Sequence, residues 1–186
     1  MLRHTLLVVM IAIVSLAFAQ KQTKVQIVND GKPLVSILIS PKASPADRTA
    51  ALMLQDYIRK ISGCRLNITE KVNPPASFIA IWEAEEKTKQ KESLTRDGYI
   101  ISTSNQNVFI ESGGGKGSIY GVVELLEHYL GCRMYAPGVE VIPHYQSVSI
   151  PPMYHVDNPA NSFRVVHGNF EKDTLYRDWQ RLNSID

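Results

Sequence analysis

The sequence lacks the residue patterns that support the commonest metal and hydrolytic chemistry. It has two cysteines in 186 residues, Cys64 and Cys132, and no adjacent Asp-Glu pair. Two cysteines alone cannot form a structural zinc site, which needs four protein ligands. Hydrolysis of a glycosidic bond generally needs two carboxylates that flank it, and the acids of this chain are scattered without a paired context. No serine or cysteine nucleophile signature is present either.

The charges are also too evenly balanced to indicate a charged partner. The chain has 20 Lys and Arg residues against 18 Asp and Glu residues, which gives a formal net charge of +2. No basic stripe with interleaved aromatic residues appears. We therefore predict no interaction with nucleic acid.

A glycine run, Gly113-Gly114-Gly115-Lys116-Gly117, resembles a nucleotide-binding loop only superficially. A phosphate loop needs Ser or Thr after its lysine, and the dinucleotide pattern fails because Ser118 replaces the last glycine. Backbone amides at the start of the following helix could still hold an anion. The interpretation that we favour is a tight strand-to-helix turn. We predict no cofactor.

The second helix carries Glu124, Glu127 and His128, which are potential metal ligands. The spacing Glu-x-x-Glu-His lacks the first histidine of the inverted metalloprotease motif. We predict no metal and expect this helix face to be exposed and solvated.

Residues 1–19 are predicted to be a signal peptide. A short basic start precedes the apolar run Leu6 to Leu16, and Ala17-Phe18-Ala19 matches a small-x-small cleavage site. A retained anchor is the alternative, although the run is shorter than the roughly 20 residues that span a bilayer. We expect a secreted or periplasmic protein with no membrane attachment after cleavage.

The remaining pattern predicts an α/β (α+β) domain over residues 20–152, with a mixed sheet and two parallel helices on one face. The first helix begins at Ser44-Pro45-Ala46-Asp47, which has the form of a capping box, and ends at Gly63. Its apolar stripe is Ala50, Met53, Leu54, Tyr57, Ile58 and Ile61. The second helix follows the glycine turn and ends at Gly131. Asp30-Gly31 predicts a hairpin within Val25 to Ile39.

The two cysteines each lie one residue beyond a helix-ending glycine. Export makes a disulfide between Cys64 and Cys132 chemically possible. Two small buried thiols are the alternative. The sequence leaves both open.

Prolines at 151, 152 and 159 indicate a linker, so residues 153–186 are assigned to a linker and a following element. Arg164 suits vicinal hydroxyls or a carboxylate because its guanidinium donates in a planar fork. An ion pair at the edge of the core is the alternative. Apolar residues of this tail, including Phe163 and Trp179, lack an evident core, so we expect residues 161–186 to pack loosely.

Several short segments follow one another in a characteristic order along the chain. They are Leu54-Gln55-Asp56-Tyr57-Ile58, Ile61-Ser62-Gly63, Asp97-Gly98-Tyr99, Ile110 through Gly114, Gly117, Tyr120-Gly121, Leu125-Leu126-Glu127 and Leu130-Gly131-Cys132-Arg133-Met134-Tyr135. Their order resembles the N-terminal domain of bacterial α-glucuronidase-like enzymes and of family 20 β-hexosaminidases, which are secreted glycoside hydrolases.

The resemblance implies a zincin-like topology without zinc and a catalytic (β/α)₈ barrel downstream, of which residues 153–186 are the truncated beginning. It implies that Arg164 holds hydroxyls of a sugar and that carbohydrate is the partner of the intact protein. It also implies that the domain is non-catalytic and supports the downstream barrel. The alternative is a free-standing carbohydrate-binding or protein-interaction module without hydrolase activity.

Overall fold

A computed structural model describes residues 23–71, 77–84, 94–166, 168 and 172–183. The predicted signal peptide lies outside these residues. The described part is a mixed α/β structure with three α-helices, α1 (Pro45–Ser62), α2 (Gly117–Glu124) and α3 (Thr174–Trp179). None of the helices in these ranges is long and apolar enough to cross a membrane.

The strands form three sheets. Their bounds are β1 Val25–Asn29, β2 Lys32–Pro33, β3 Val35–Ile39, β4 Ile68–Thr69, β5 Ser77–Glu83, β6 Tyr99–Ser104, β7 Asn107–Ser112, β8 Arg133–Ala136, β9 Val139–Val141, β10 Val148–Ile150 and β11 Tyr154–Asp157. The largest sheet has the order β11-β6-β7-β5-β3-β4. Strands β4, β3, β5 and β7 run parallel, whereas β6 is antiparallel to both of its neighbours. The predicted mixed sheet is therefore confirmed.

The predicted hairpin around Asp30-Gly31 forms, but its second arm is divided between two sheets. Both turn residues have positive φ angles, 46° and 74°, as a two-residue hairpin turn requires. Residues 32–33 pair with β1, while β3 joins the six-stranded sheet. Strand β1 also pairs antiparallel with β10.

Helix α1 begins and ends where the sequence predicts. The Ser44 hydroxyl accepts from the Asp47 amide at 3.1 Å, and the Asp47 carboxylate accepts from the Ser44 amide at 3.0 Å. Gly63 closes the helix with a φ of 76°. All six residues of the predicted apolar stripe are buried, because that stripe is the face turned toward the sheet.

The second helix changes geometry after Glu124. Residues 125–129 form a π-helical turn, in which the amide of Leu130 donates to the carbonyl of Leu125 at 3.1 Å. Helices α1 and α2 contact each other, and each contacts the six-stranded sheet; they therefore lie on the same face of it. Their N-terminal ends are joined by a hydrogen bond from the Ser118 hydroxyl to Asp47.

The chain after Ile150 differs from the expected loose tail. Strand β11 lies within the residues that the sequence assigns to a linker, and it pairs with β6. Helix α3 packs against α2 and β8, and Trp179 is only 1% exposed. The expectation of loose packing is therefore wrong for residues 173–183, because the indole of Trp179 inserts beside Tyr57 of α1. Phe163, in contrast, is 71% exposed, as expected.

Candidate functional site

Arg164 connects residues 172–183, which we call the C-terminal segment, to Asp97 beside the glycine turn. Its Nη2 lies 3.0 Å from Oδ2 of Asp97, and its Nε donates to the carbonyl of Arg181 at 2.7 Å. Its Nη1 donates to the carbonyl of Asn161, and the guanidinium carbon lies 5.5 Å from the ring centroid of Tyr120. The guanidinium thus has partners within the chain at all three nitrogens, which matches the ion-pair alternative.

Asp97 connects Arg164 to the start of helix α2. Its Oδ1 accepts from the amide of Lys116 at 3.1 Å. A Cβ added to Gly115 would lie 2.3 Å from the same oxygen. The anion at this helix start is therefore a carboxylate of the chain itself. The glycine run is the tight turn favoured from the sequence. Its glycines let neighbouring loops approach so closely that a larger side chain would clash with them.

Glu124 is the centre of a second polar cluster, at the other end of α2. The residue is 7% exposed. Its Oε2 lies 2.8 Å from Nη2 of Arg181 and accepts from the hydroxyl of Tyr99 at 3.3 Å. Its Oε1 lies 2.9 Å from Nδ1 of His128 and 3.7 Å from Nε2 of His155. Burial raises the pKa of Tyr99 far above its ordinary value, so this phenol stays protonated and donates.

The segment around α3 covers the neighbouring part of the same helix face. Trp179 Nε1 donates to Oε1 of Glu127 at 2.6 Å, and the indole lies 5.0 Å from the ring of Tyr57, centroid to centroid. Lys116 Nζ pairs with Asp178 at 2.7 Å. The expectation that this face is solvated is thus wrong for Glu124 and Glu127, while His128 remains mostly exposed.

Sequence reasoning missed this arrangement because its partners are distant along the chain. Glu124 and Arg181 are 57 positions apart, and Glu127 and Trp179 are 52 apart. The signal in the sequence that could have indicated it is a pair of matching spacings. Trp179 and Arg181 are two positions apart, and the acids that they contact, Glu127 and Glu124, are three positions apart.

The chemistry of these clusters is that of ion pairing. Within the described residues no group of three or more His, Cys, Asp or Glu side chains is arranged to hold a metal ion. Glu124 has a guanidinium, a phenol and an imidazole as close partners. Its carboxylate is therefore occupied by contacts within the chain.

The two cysteines are free thiols in this structure, so the candidate disulfide is not formed. Cys64 Sγ donates to the carbonyl of Gly31 at 2.7 Å, in the turn between β1 and β2. Cys132 is fully buried in the core. Burial raises the pKa of the Cys132 thiol to about 11, so it behaves as a small apolar side chain at neutral pH.

Two shallow surface pockets lie at the C-terminal end of α1. Lys60, Glu140, Ile142 and His144 line the first, and Gly63 and Tyr145 are among the residues that line the second. Lys60 pairs with Glu140 at 3.3 Å. Glu124 lines neither of these two pockets.

No protein-family model matches the sequence, and no curated protein matches it. Solved structures of glycoside hydrolases do match. They include the GH20 β-N-acetylhexosaminidase of Streptomyces coelicolor A3(2), at 18% identity over 76% of this chain and 25% of that one, with a TM-score of 0.50. The family GH115 4-O-methyl-α-glucuronidase BtGH115A matches at 13% identity over 70% of this chain and 18% of that one, with a TM-score of 0.53.

A third match is the GH20 exo β-N-acetylglucosaminidase of Vibrio harveyi in complex with N-acetylglucosamine, at 14% identity over 77% of this chain and 18% of that one, with a TM-score of 0.51. This chain therefore spans a quarter or less of the length of these three enzymes. At such identities the likeness concerns the fold. The chain has a fold that glycoside hydrolases of at least two families contain as part of a longer protein.

Proposed function

We propose that this chain is a non-catalytic N-terminal domain of a secreted glycoside hydrolase and that it supports a downstream catalytic barrel. The observation that carries the proposal is the unequal coverage in the structural matches. About three quarters of this chain corresponds to about one quarter of a GH20 enzyme, which is the relation of one domain to a larger protein. The zincin-like topology and the beginning of a (β/α)₈ barrel belong to the same proposal.

The polar clusters support a structural role for the domain. Asp97 is bound to an arginine and a backbone amide, and Glu124 is bound to Arg181. Hydrolysis needs a carboxyl group that can give a proton to the leaving oxygen and a second carboxylate across the bond. The two acids instead hold the C-terminal segment. Carbohydrate is accordingly proposed as the substrate of the whole protein.

Arg164 enters this proposal in two ways. Its contacts with Asp97 and Arg181 support a role in fixing the C-terminal segment to the domain. The sugar-binding role implied by the resemblance requires a state in which the guanidinium has exchanged these partners for hydroxyl groups. We propose the first role for the structure described and the second for the intact enzyme with substrate.

A second candidate function is a free-standing carbohydrate-binding or protein-interaction module. The docking of α3 favours it, because Trp179 is buried within the domain without help from another domain. Export to the periplasm or the exterior is proposed for both functions.

The coding DNA beyond Asp186 distinguishes the two. We expect an open frame that encodes a barrel with an adjacent Asp-Glu pair, and a longer protein that cleaves an aryl glycoside of N-acetylglucosamine or glucuronic acid. A stop codon after Asp186 in the native gene would contradict the hydrolase proposal and support the module.

A further inference from the structure

Three side chains from two helices form a surface beneath the C-terminal segment, which we call the docking surface. They are Tyr57 of α1, Glu124 of α2 and Glu127 of the π-helical turn. Trp179 lies on Tyr57 and donates its indole N–H to Glu127. Arg181 pairs with Glu124 at 2.8 Å. An aromatic ring and two carboxylates thus meet an indole and a guanidinium.

We propose that the docking surface recognises a Trp-x-Arg sequence, filled here by residues 179–181, and that this docking is an equilibrium separate from the folding of the rest of the domain. Charge and shape support the assignment. The indole needs a flat apolar neighbour and one acceptor, and the guanidinium needs a carboxylate. The docking surface supplies these groups at a spacing that Trp179 and Arg181, two residues apart, fill together.

The segment is attached through side chains. Within the described residues, its main-chain hydrogen bonds run inside the segment itself or to Arg164. The side-chain amide of Gln180 contacts the body of the domain by donating to the carbonyl of Met134 at 3.1 Å. Helix α3 has six residues, far fewer than the roughly 12 that an isolated helix needs to be even marginally stable. It therefore depends on docking for its order.

The backbone at Arg181 shows the same dependence. Its φ angle is +56°, a left-handed conformation that residues with a side chain rarely adopt. In this conformation the carbonyl of Arg181 accepts from the guanidinium of Arg164, and the guanidinium of Arg181 pairs with Glu124. Once the side-chain contacts are lost, no interaction offsets the cost of the left-handed conformation, and the backbone relaxes out of it. Docking and local conformation are therefore coupled.

Docking gives the C-terminal segment two states, a closed state in which it lies on the docking surface and an open state in which it is released. In the closed state the amides of Leu182 and Asn183 are bound to the carbonyls of Arg177 and Arg164, and in the open state α3 and these residues are released from the docking surface. The use of these two states to position a following barrel rests on the proposed function. The docking equilibrium does not, since it concerns only residues of this chain.

Hydrogen exchange of the full chain, followed by mass spectrometry, tests the separation. Arg181→Gln and Glu124→Gln each remove one charge from the pair. We expect amides of residues 175–183 to exchange about tenfold faster or more in both variants, with α1 unchanged. Raising the salt to about 1 M should act on the wild-type chain in the same direction but less than the substitutions do, because salt screens partly buried pairs much less than exposed ones. Arg59→Gln, which removes an exposed α1 pair with Asp56, is the matched control and should change neither region.

A peptide of residues 172–183 tests recognition directly. The full-length double variant Trp179→Ala, Arg181→Gln vacates the docking surface, and its α1 amides report whether it is folded. We expect it to bind the wild-type peptide in calorimetry and to bind a peptide with the same two substitutions at least about tenfold more weakly.

Two results would overturn the proposal. One is exchange in which residues 175–183 and α1 always accelerate together, in the variants and in salt, because the segment would then be part of a single cooperative unit. The other is equal binding of the two peptides. Neither result depends on whether a barrel is encoded beyond Asp186, so the failure of this proposal is distinct from that of the proposed hydrolase role.

Discussion

Gly115 is the glycine of the turn that lies against the carboxylate of Asp97. Its φ angle is +52°, and a Cβ at this position would meet Oδ1 of Asp97 at 2.3 Å. We expect Gly115→Ala to displace Asp97 from the Lys116 amide and from Arg164, with a loss of about 2–4 kcal/mol in the free energy of unfolding. Urea denaturation at neutral pH measures this loss.

Gly138 is the matched control for that substitution. It also has a positive φ angle, +71°, but nothing lies within 4 Å of an added Cβ. Gly138→Ala should therefore lower the free energy of unfolding by only about 1 kcal/mol, because alanine disfavours the left-handed backbone conformation. Equal losses in the two variants would show that the contacts of Asp97 contribute nothing to stability.

Cys132 makes the stability of the domain depend on pH in the alkaline range. Burial raises its pKa from 9.0 to about 11, so the folded state keeps a proton that the unfolded state releases. The stabilisation is complete below pH 9 and is lost as the pH rises from about 9 to about 11. We expect the unfolding free energy to fall across this window, measured by urea denaturation at several pH values.

Cys132→Ala isolates the contribution of this thiol. The variant should be less stable at neutral pH because it leaves a small cavity, but its unfolding free energy should fall less steeply between pH 9 and 11. A slope identical to that of the wild type would assign the alkaline effect to the buried phenols of Tyr57 and Tyr99, whose pKa values burial also raises.

Among the elements, α1 shows how much local sequence can predict. Its capping box, apolar stripe and terminal glycine are all short-range signals, and they agree with one another. The second helix shows the limit. Its start follows from the glycine turn, but the change to a π-helical turn at Leu125 has no local signal in the sequence.

The Glu124 cluster could not be predicted for the same reason. Burial of its carboxylate depends on Arg181 and on a segment whose order comes from docking. Strand β11 was missed because Pro151-Pro152 indicates an interruption, and pairing with β6 begins again just beyond it. Long-range pairing thus decided the parts of the structure that local patterns left open.

The β6–β7 hairpin offers a test at the level of one element. Its turn residues Asn105 and Gln106 have φ angles of 49° and 64°. Asparagine tolerates this conformation, but glutamine does so at a cost. We expect Gln106→Gly to raise the unfolding free energy by about 0.5–1 kcal/mol, because Asn-Gly is the favoured pair for such a turn.

Asn105→Gly is the comparison variant for that hairpin, and it should raise the unfolding free energy by less than Gln106→Gly does. Thermal unfolding of both variants measures the difference. A loss of stability in Gln106→Gly would mean that the hydrogen bond from the Gln106 amide to Thr23 outweighs the strain of the turn.

For the whole molecule, we predict that the purified chain hydrolyses no glycoside. The acids of its two polar clusters are bound to cations, and no adjacent Asp-Glu pair exists in the sequence. Aryl glycosides of N-acetylglucosamine, glucuronic acid and common hexoses provide the assay, with heat-inactivated protein as the control. Turnover above that control, lost in Glu124→Gln, would contradict the prediction.

The pairing of β1 with β10 bears on the order in which the molecule is made. Val25 lies opposite Ile150, so the first described strand must wait for a partner near the far end of the chain. Ribosomes add roughly 5–20 residues per second, so we expect the edge of β1 that pairs with β10 to stay unpaired for on the order of ten seconds during synthesis. Throughout that interval the side chains of Val25, Ile27 and Val28, all buried in the finished fold, are accessible to chaperones. The three-stranded sheet that holds β1 therefore cannot be completed until residue 150 has been synthesised.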